Sequence, residues 1–209
     1  MLAAVQRGLE TLYRIDSTPD VRDFVIDAEA RKAFAPSRAP REQLLVAERD
    51  GDLELALFVD ERVLRNLEAN DPRARLDDGN LADLLLAVEG VSHFVYLTWR
   101  AHRQRRVSAL ELELQAEIDK YVTCLLLLWP QGGRVPVDLR SRLFGAFELE
   151  PGLDRDERDR YLAANSNARA YAARLDARYL SAGRLAPMLD ELRWFWRQGL
   201  GEKLAHISG

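Results

Sequence analysis

Three residues stand out in the sequence because they place polar, metal-ligating groups inside apolar helices. Glu89 and His93 lie four residues apart within a segment, 84–97, that is otherwise almost entirely apolar. Residues at this spacing share one face of a helix. Glu117 falls inside the apolar stripe of the next predicted helix, and Glu113 lies at the edge of that stripe. Two carboxylates and an imidazole form a common ligand set for Zn²⁺, so Glu89, His93 and Glu117 are the candidate metal ligands.

An ion pair inside the core explains the same residues without a metal. A buried carboxylate needs a compensating partner, because removing it from water unpaired is costly. His93 is the nearest such partner for Glu89, and an arginine of the C-terminal helices could reach Glu117. The sequence therefore leaves two alternatives open, which are one Zn²⁺ or no cofactor at all.

A small sheet and two long helices must position these residues. Alternating apolar residues on either side of Asp50-Gly51 predict a β-hairpin over about 43–59. A buried helix is predicted over about 81–103, because apolar side chains surround it on all sides. A second helix follows over about 108–129. The candidate ligands therefore come from two consecutive helices.

The ends and the second face of the 108–129 helix follow from local signals. Ser108 and Glu111 have the spacing of a capping box, and Pro130 is predicted to stop the helix. Glu111, Gln115 and Asp119 project opposite the apolar stripe. We expect that face to be solvated.

The order of the elements predicts an α+β fold that is predominantly helical. Residues 1–130 are predicted to form the α+β core, with a small antiparallel hairpin or sheet packed on helices. Residues 131–209 are predicted to form a helical C-terminal extension packed on that core. Its two main helices are expected over about 155–180 and 185–206.

The part of the chain from the hairpin to the second helix resembles the minimal zincin metallopeptidases of the phage-repressor-cleaving and radiation-response type. Those proteins carry His-Glu-x-x-His on a helix that follows a small sheet, and a glutamate ligand on a further helix. Here Glu89-Gly90-Val91-Ser92-His93 follows the hairpin, and Glu117 comes about two dozen residues later. The resemblance covers about 43–130. It implies a zincin-like core in which His93 is the second histidine ligand, Glu117 is the glutamate ligand and Glu89 replaces the first histidine.

The same resemblance implies that peptidase chemistry has been lost. Gly90 stands where the family carries its general-base glutamate, and Glu113 is the candidate to replace that base. We therefore predict a non-catalytic or regulatory protein that acts through protein–protein interaction. The alternatives are a zinc-dependent peptidase or hydrolase that uses Glu89, His93 and Glu117, and a helical scaffold with a buried ion pair.

An aromatic segment near the C-terminus supplies the candidate interaction residues. Arg193, Trp194, Trp196 and Arg197 surround Phe195. Successive residues point all round a helix, so the three aromatic side chains cannot all face one core. One or two of them are predicted to lie at the surface, where aromatic residues flanked by arginine are typical interface anchors. Packing against the tyrosines of the preceding helix is the alternative.

Composition and charge exclude several classes of function. The 209-residue chain is 47% hydrophobic and 31% charged, with a net charge of −4, so it has material for a core but no overall basic field for nucleic acid. The single cysteine, Cys124, excludes a disulfide framework and a cysteine-based zinc finger. No signal sequence and no apolar run of transmembrane length is predicted. We expect a cytoplasmic protein with a protein partner, without nucleic acid or membrane, and leave open whether it forms a homo-oligomer.

Overall fold

The computed structural model describes residues 1–15, 19–34, 40–49, 52–132, 138–145, 149 and 152–209. Helices dominate, and a small sheet packs on them, which confirms the predicted α+β fold that is predominantly helical. Two short 3₁₀ helices span Val21–Phe24 and Leu180–Ala182. The described α-helices are α1 (Leu2–Tyr13), α2 (Ala28–Phe34), α3 (Glu61–Ala69), α4 (Leu81–Ala101), α5 (Ala109–Gly132), α6 (Leu139–Gly145), α7 (Arg155–Arg178), α8 (Leu185–Arg197) and α9 (Leu200–Ser208).

The sheet has three strands in the order β1-β3-β2, which are β1 (Val25–Ile26), β2 (Glu42–Arg49) and β3 (Asp52–Val59). Strands β2 and β3 form the predicted antiparallel hairpin, with Leu45 opposite Ala56. The predicted turn at Asp50-Gly51 lies outside the described residues. Strand β1 runs parallel to β3, so the sheet is mixed rather than purely antiparallel.

The second half of helix α4, from Gly90 to Tyr96, is buried on all sides, as the largely apolar sequence predicts, whereas the first half of the helix is only partly buried. Phe94, Val95 and Tyr96 are successive residues and so point about 100° apart around the helix, and each is at most 1% exposed. By length and mean hydropathy alone, α4 is also apolar enough to cross a membrane, which differs from our expectation that no segment is. Within the protein, 61% of its most apolar stretch is buried, as in the core helix of a folded domain.

Two helix boundaries differ from the predicted ones. Helix α5 continues through Pro130 to Gly132 instead of stopping at the proline. The Gln131 side chain holds this end, because its amide donates to the carbonyl of Pro72 and its oxygen accepts from the N–H of Leu76. The predicted helix over 185–206 is divided into α8 and α9, with Gln198 in an extended conformation between them.

One hydrophobic core joins the parts of the chain before and after residue 131. Trp196 of α8 belongs to this core and is 1% exposed. The indole stacks on Tyr13 at 4.8 Å and contacts Tyr96 at 5.1 Å and Trp99 at 4.4 Å, measured between ring centroids. Helix α8 therefore packs on α1 and α4 through this indole.

Candidate functional site

Six ionisable side chains meet where β2, α4 and α5 pack together, and we call them the acidic cluster. Their helical spacing explains why they meet, because residues three or four apart share a helix face and α4 packs against α5. The strand contributes one carboxyl group from its first residue. The members of the acidic cluster are Glu42 on β2, Glu89 and His93 on α4, and Glu113, Glu117 and Lys120 on α5.

Lys120 lies between two of the candidate metal ligands, Glu89 on α4 and Glu117 on α5. Its Nζ lies 2.7 Å from Glu89 Oε2 and 2.6 Å from Glu117 Oε1, and the three side chains are between 10% and 17% exposed. Burial alone would raise the pKa of Glu89, but the charges of Lys120 and His93 outweigh it and lower that pKa. The ammonium therefore stands between the two carboxylates and neutralises part of their charge.

His93 contacts Glu113 instead of Glu117. His93 Nε2 lies 3.3 Å from Glu113 Oε2, without the alignment of a hydrogen bond. Burial works against the imidazolium, yet Glu113, Glu42 and Glu89 together raise the pKa of His93 to about 9. Glu113 also lies 3.8 Å from Arg160 Nε of α7. His93 is therefore a cation at neutral pH, and Glu113, the candidate base, already neutralises two cations.

Glu42 differs from the other acids because its Oε1 atom is buried and has no hydrogen-bond partner in the described part of the chain. Burial and the nearby Glu89 carboxylate raise the pKa of Glu42 to about 8. At neutral pH Glu42 is therefore mostly protonated. Three carboxylates then face three cations, His93, Lys120 and Arg160, so that the region is close to electrically neutral.

Gly90 makes room for the Glu42 carboxyl group. A Cβ atom at position 90 would lie 2.8 Å from Glu42 Oε1 and 2.8 Å from Leu57 Cδ1. Contacts this short require the neighbouring atoms to shift. Gly90 is thus the residue that allows β2 and α4 to pack closely.

The structure brings the predicted metal ligands into one cluster but distributes them over two ion-pair sets. Glu89 and Glu117 share Lys120, whereas His93 pairs with Glu113. Among the residues that the structure describes, no group of three or more His, Cys, Asp or Glu side chains is arranged to hold a metal ion. The geometry of the acidic cluster is that of a buried ion-pair network.

A second polar cluster, which we call the buried polar network, lies on the opposite face of α5. Its members connect α1, α4, α5 and α9 through side-chain hydrogen bonds. Asp119 accepts from Tyr13, from Ser92 at 2.6 Å and from Gln115 at 2.9 Å. The buried polar network consists of Tyr13, Ser92, Tyr96, Arg100, Glu111, Gln115, Asp119 and Lys203.

Lys203 of α9 closes this network and is fully buried. Its Nζ donates to Tyr96 Oη and to Gln115 Oε1, each at 2.8 Å. Burial lowers the pKa of Lys203 to about 7, although Glu111 and Asp119 act in the opposite direction. Burial likewise raises the pKa of Asp119 to about 6. Both groups therefore titrate close to neutral pH.

The expectation that Glu111, Gln115 and Asp119 face solvent is wrong, since they are only 4%, 1% and 1% exposed. Helix α5 is covered on both faces, and its polar side chains meet polar side chains of its neighbours. The Glu111 side chain binds Tyr96 and Arg100, and only the Ser108 half of the predicted capping box forms.

Polar residues recur at every fourth position on both helices, and this spacing is a signal for the buried polar network. Ser92, Tyr96 and Arg100 recur at this spacing on α4, and Glu111, Gln115 and Asp119 recur at it on α5. Two such polar rows on antiparallel neighbours indicate facing partners rather than a solvated surface.

The candidate interaction residues have different environments. Trp194 is 45% exposed and packs one side of its ring near His206, at 4.8 Å between centroids. Trp196 is only 1% exposed, so its indole belongs to the core and not to the surface of this chain. Arg193 and Arg197 donate to the carbonyls of Leu12 and Tyr13 at the end of α1. Positive charges at the C-terminal end of a helix interact favourably with the helix dipole.

A cavity of about 540 Å³ adjoins the acidic cluster. Its inner wall carries Glu42, Glu89, Glu117 and Lys120, and leucines form much of the remaining lining. At its edge, Arg41 Nη2 lies 2.6 Å from Asp83 Oδ1, and Arg142 is paired with Asp78. Its volume is in the range of small-molecule sites.

Comparisons with protein-family models, curated proteins and solved structures find no match for this chain. The class of the protein is therefore defined here by its fold and its two buried clusters alone.

Proposed function

We propose that this chain is a non-catalytic, regulatory protein that acts by binding a protein partner and is built on a degenerate zincin-like core. The observation that carries the proposal is the position of Lys120. Its ammonium lies within 2.7 Å of both Glu89 and Glu117, which are two of the three candidate zinc ligands. The ammonium group neutralises part of the charge of these two carboxylates, which is the role that a divalent metal ion would have.

The base position supports the same proposal. Water activation on a zincin needs a carboxylate beside the metal-bound water. Gly90 provides no side chain, and the close approach of Glu42 and Leu57 leaves no room for one. Both oxygens of the Glu113 carboxylate already face cations, Oε2 at His93 and Oε1 at Arg160, so neither is left to activate a water molecule.

Zinc binding tests the non-catalytic part of the proposal. We expect protein purified without chelator to contain no stoichiometric zinc, and added zinc to leave the melting temperature unchanged. A specific site at about 100 times its Kd would add about 2.7 kcal/mol, which is several degrees for a chain of this size. Elemental analysis and thermal unfolding with and without zinc measure both quantities.

The matched variant for zinc binding is Glu117→Gln, which removes one carboxylate charge and keeps the side-chain shape. Stoichiometric zinc that stabilises the wild type and is lost in Glu117→Gln would favour the metal-dependent hydrolase instead. Such a result would leave the partner-binding part to be judged separately.

Partner binding rests on the exposed Trp194 ring. Large aromatic side chains at a surface are frequent anchors of interfaces, and truncating one costs about 2 kcal/mol or more when it is central. With a partner recovered by affinity capture and then purified, we expect Trp194→Ala to weaken binding at least about tenfold without changing the melting temperature. Calorimetry on the purified pair gives the affinity.

Leu162→Ala is the control for Trp194→Ala, because Leu162 is 50% exposed on a different helix. It should leave the affinity unchanged. Equal affinity of the wild type and Trp194→Ala would remove Trp194 from the interface.

A further inference from the structure

Four arginine side chains gather beside Trp194, and we call them the arginine patch. They are Arg14 at the end of α1, Arg103 just after α4, and Arg193 and Arg197 on α8. Like charges come together here although the chain as a whole has a net charge of −4. The arginine patch is therefore a local region of positive charge on an acidic protein.

Contacts with the end of α1 fix three of these guanidinium groups close to one another. Arg193 Nε donates to the carbonyl of Leu12 at 2.8 Å, and Arg197 Nη2 donates to the carbonyl of Tyr13 at 2.9 Å. Arg14 is the next residue, which ends α1 in a left-handed conformation with a φ of 50° and is exposed. The three cations of α1 and α8 thus surround the same helix end.

Arg103 joins the arginine patch through stacked aromatic rings. Its guanidinium carbon lies 4.0 Å from the centroid of the Trp99 ring, which in turn lies 4.4 Å from that of Trp196. Arg197 follows Trp196 directly in the chain. Arg103 is exposed, and stacking on an indole holds a guanidinium in place while its N–H groups at the edge can still donate to a ligand.

Three of the four charges have no carboxylate partner among the residues that the structure describes. Arg193 pairs with Asp190 at 2.8 Å. Arg14, Arg103 and Arg197 form no ion pair within the described part of the chain. Burial, and after it the charges of the other three arginines, lowers the pKa of Arg197 below its ordinary value. Backbone carbonyls therefore satisfy some N–H groups of the patch but leave its charges repelling one another.

We propose that the arginine patch binds an acidic segment of the protein partner, whose carboxylates pair with Arg14, Arg103 and Arg197. The proposal rests on the proposed function, because it names the chemistry of the partner that binds at Trp194. Trp194 and Arg197 are three residues apart on α8 and so share one face of that helix. An apolar residue among the acidic ones would contact the exposed ring, while arginine and carboxylate form specific bidentate pairs.

A short acidic segment fits the arginine patch better than a nucleic acid does. A polyanion that extends beyond the patch meets the rest of a chain whose net charge is −4, and this charge repels it. A peptide with a few carboxylates contacts the patch alone. The positive charge of the patch and its neighbouring aromatic ring therefore favour an acidic polypeptide as the occupant.

Two peptides of equal length test the proposal without the partner. The probes are acetyl-EELEELEE-amide and acetyl-QQLQQLQQ-amide, each carrying the same neutral dye for fluorescence anisotropy. We expect the glutamate peptide to bind the full chain with a Kd of about 500 µM or tighter, and the glutamine peptide at least about tenfold more weakly. Raising the salt concentration from about 20 to about 300 mM should weaken binding of the glutamate peptide at least about tenfold, because salt screens exposed charges.

Arg14→Gln combined with Arg103→Gln is the decisive variant. Both side chains are exposed, and the two arginines of α8 that hold the end of α1 stay in place. We expect the affinity for the glutamate peptide to fall at least about tenfold. The matched control is Arg65→Gln combined with Arg155→Gln, which removes the same charge from side chains that are 63% and 91% exposed on α3 and α7. The control should bind like the wild type.

Three results would each overturn the acidic partner segment. The first is equal affinity for the glutamate and glutamine peptides, and the second is an unchanged affinity in the variant of Arg14 and Arg103. The third is tighter binding of an oligothymidylate with the same number of charges, which would make the arginine patch a nucleic-acid site. These results need no partner, so they are distinct from the test of partner binding by Trp194→Ala.

Discussion

Lys120→Met is expected to destabilise the protein by about 3–4 kcal/mol at neutral pH. Methionine has a similar length, so the change removes the charge with little loss of volume. Glu89 and Glu117, both within 2.7 Å of the ammonium, then lose the cation that lies between them. Breaking a buried pair by removing one partner costs about 3–5 kcal/mol, and access to water from the cavity places the effect in the lower part of that range.

Chemical denaturation at neutral pH measures the effect on the free energy of unfolding. Thermal unfolding should show a decrease of roughly 6–12 °C in melting temperature. The control is Lys120→Met combined with Glu89→Gln and Glu117→Gln, which removes all three charges and should recover most of the lost stability. A loss below about 1 kcal/mol in Lys120→Met alone would mean that the ammonium contributes no more than an ordinary surface ion pair.

Asp119→Ala is expected to cost about 3 kcal/mol at neutral pH. The carboxylate accepts from Tyr13, Ser92 and Gln115, and all three donors are buried. Each donor left without an acceptor costs about 1–3 kcal/mol, and rearrangement around the smaller side chain recovers part of the sum. Denaturant unfolding of the wild type and the variant measures the difference.

The difference in stability between the wild type and Asp119→Ala should also depend on pH, which the loss of hydrogen bonds alone would not cause. Burial raises the pKa of Asp119 from its ordinary value of 3.8 to about 6 in the folded protein. Between these values the folded state binds more protons than the unfolded state, so the wild type loses stability as the pH rises. The advantage of the wild type over Asp119→Ala should therefore grow by about 2 kcal/mol when the pH falls from about 7 to about 4.

Two further variants make the Asp119 result interpretable. Asp119→Asn keeps one acceptor oxygen and should cost less than alanine at neutral pH, while lacking the acid titration. Asp190→Ala, at an aspartate that is 71% exposed, should change the free energy of unfolding by no more than about 0.5 kcal/mol. An advantage of the wild type that shrinks on acidification would contradict the raised pKa of Asp119.

Part of the acidic cluster could be predicted from the residues alone. The spacing of Glu89 and His93, and the place of Glu117 in the apolar stripe of its helix, predicted that these groups would be buried, and their side chains lie in the protein interior. The partner of Glu117 could not be predicted, because lysine and the many arginines are all able to reach a carboxylate. The candidate was an arginine, and the structure places Lys120 there.

The rarity of lysine is a signal in the sequence for two positions, Lys120 and Lys203. The chain has three lysines among 30 basic residues. Two of them, Lys120 and Lys203, lie in the acidic cluster and the buried polar network, and Lys203 is completely buried. A compact ammonium fits between closely spaced oxygen atoms where the planar guanidinium of arginine does not, which gives these two positions a physical reason to be lysine.

The sequence by itself determined the helices, the hairpin and the burial of the second half of α4, because hydrophobic periodicity and turn residues act locally along the chain. Only the tertiary structure decided which charges meet. His93 turns to Glu113, Lys120 reaches Glu89 as well as Glu117, and Asp119 faces α1 and α4 instead of solvent. These outcomes depend on how α4 and α5 rotate against each other and on what covers their outer faces, and both are set by contacts between residues far apart in the sequence.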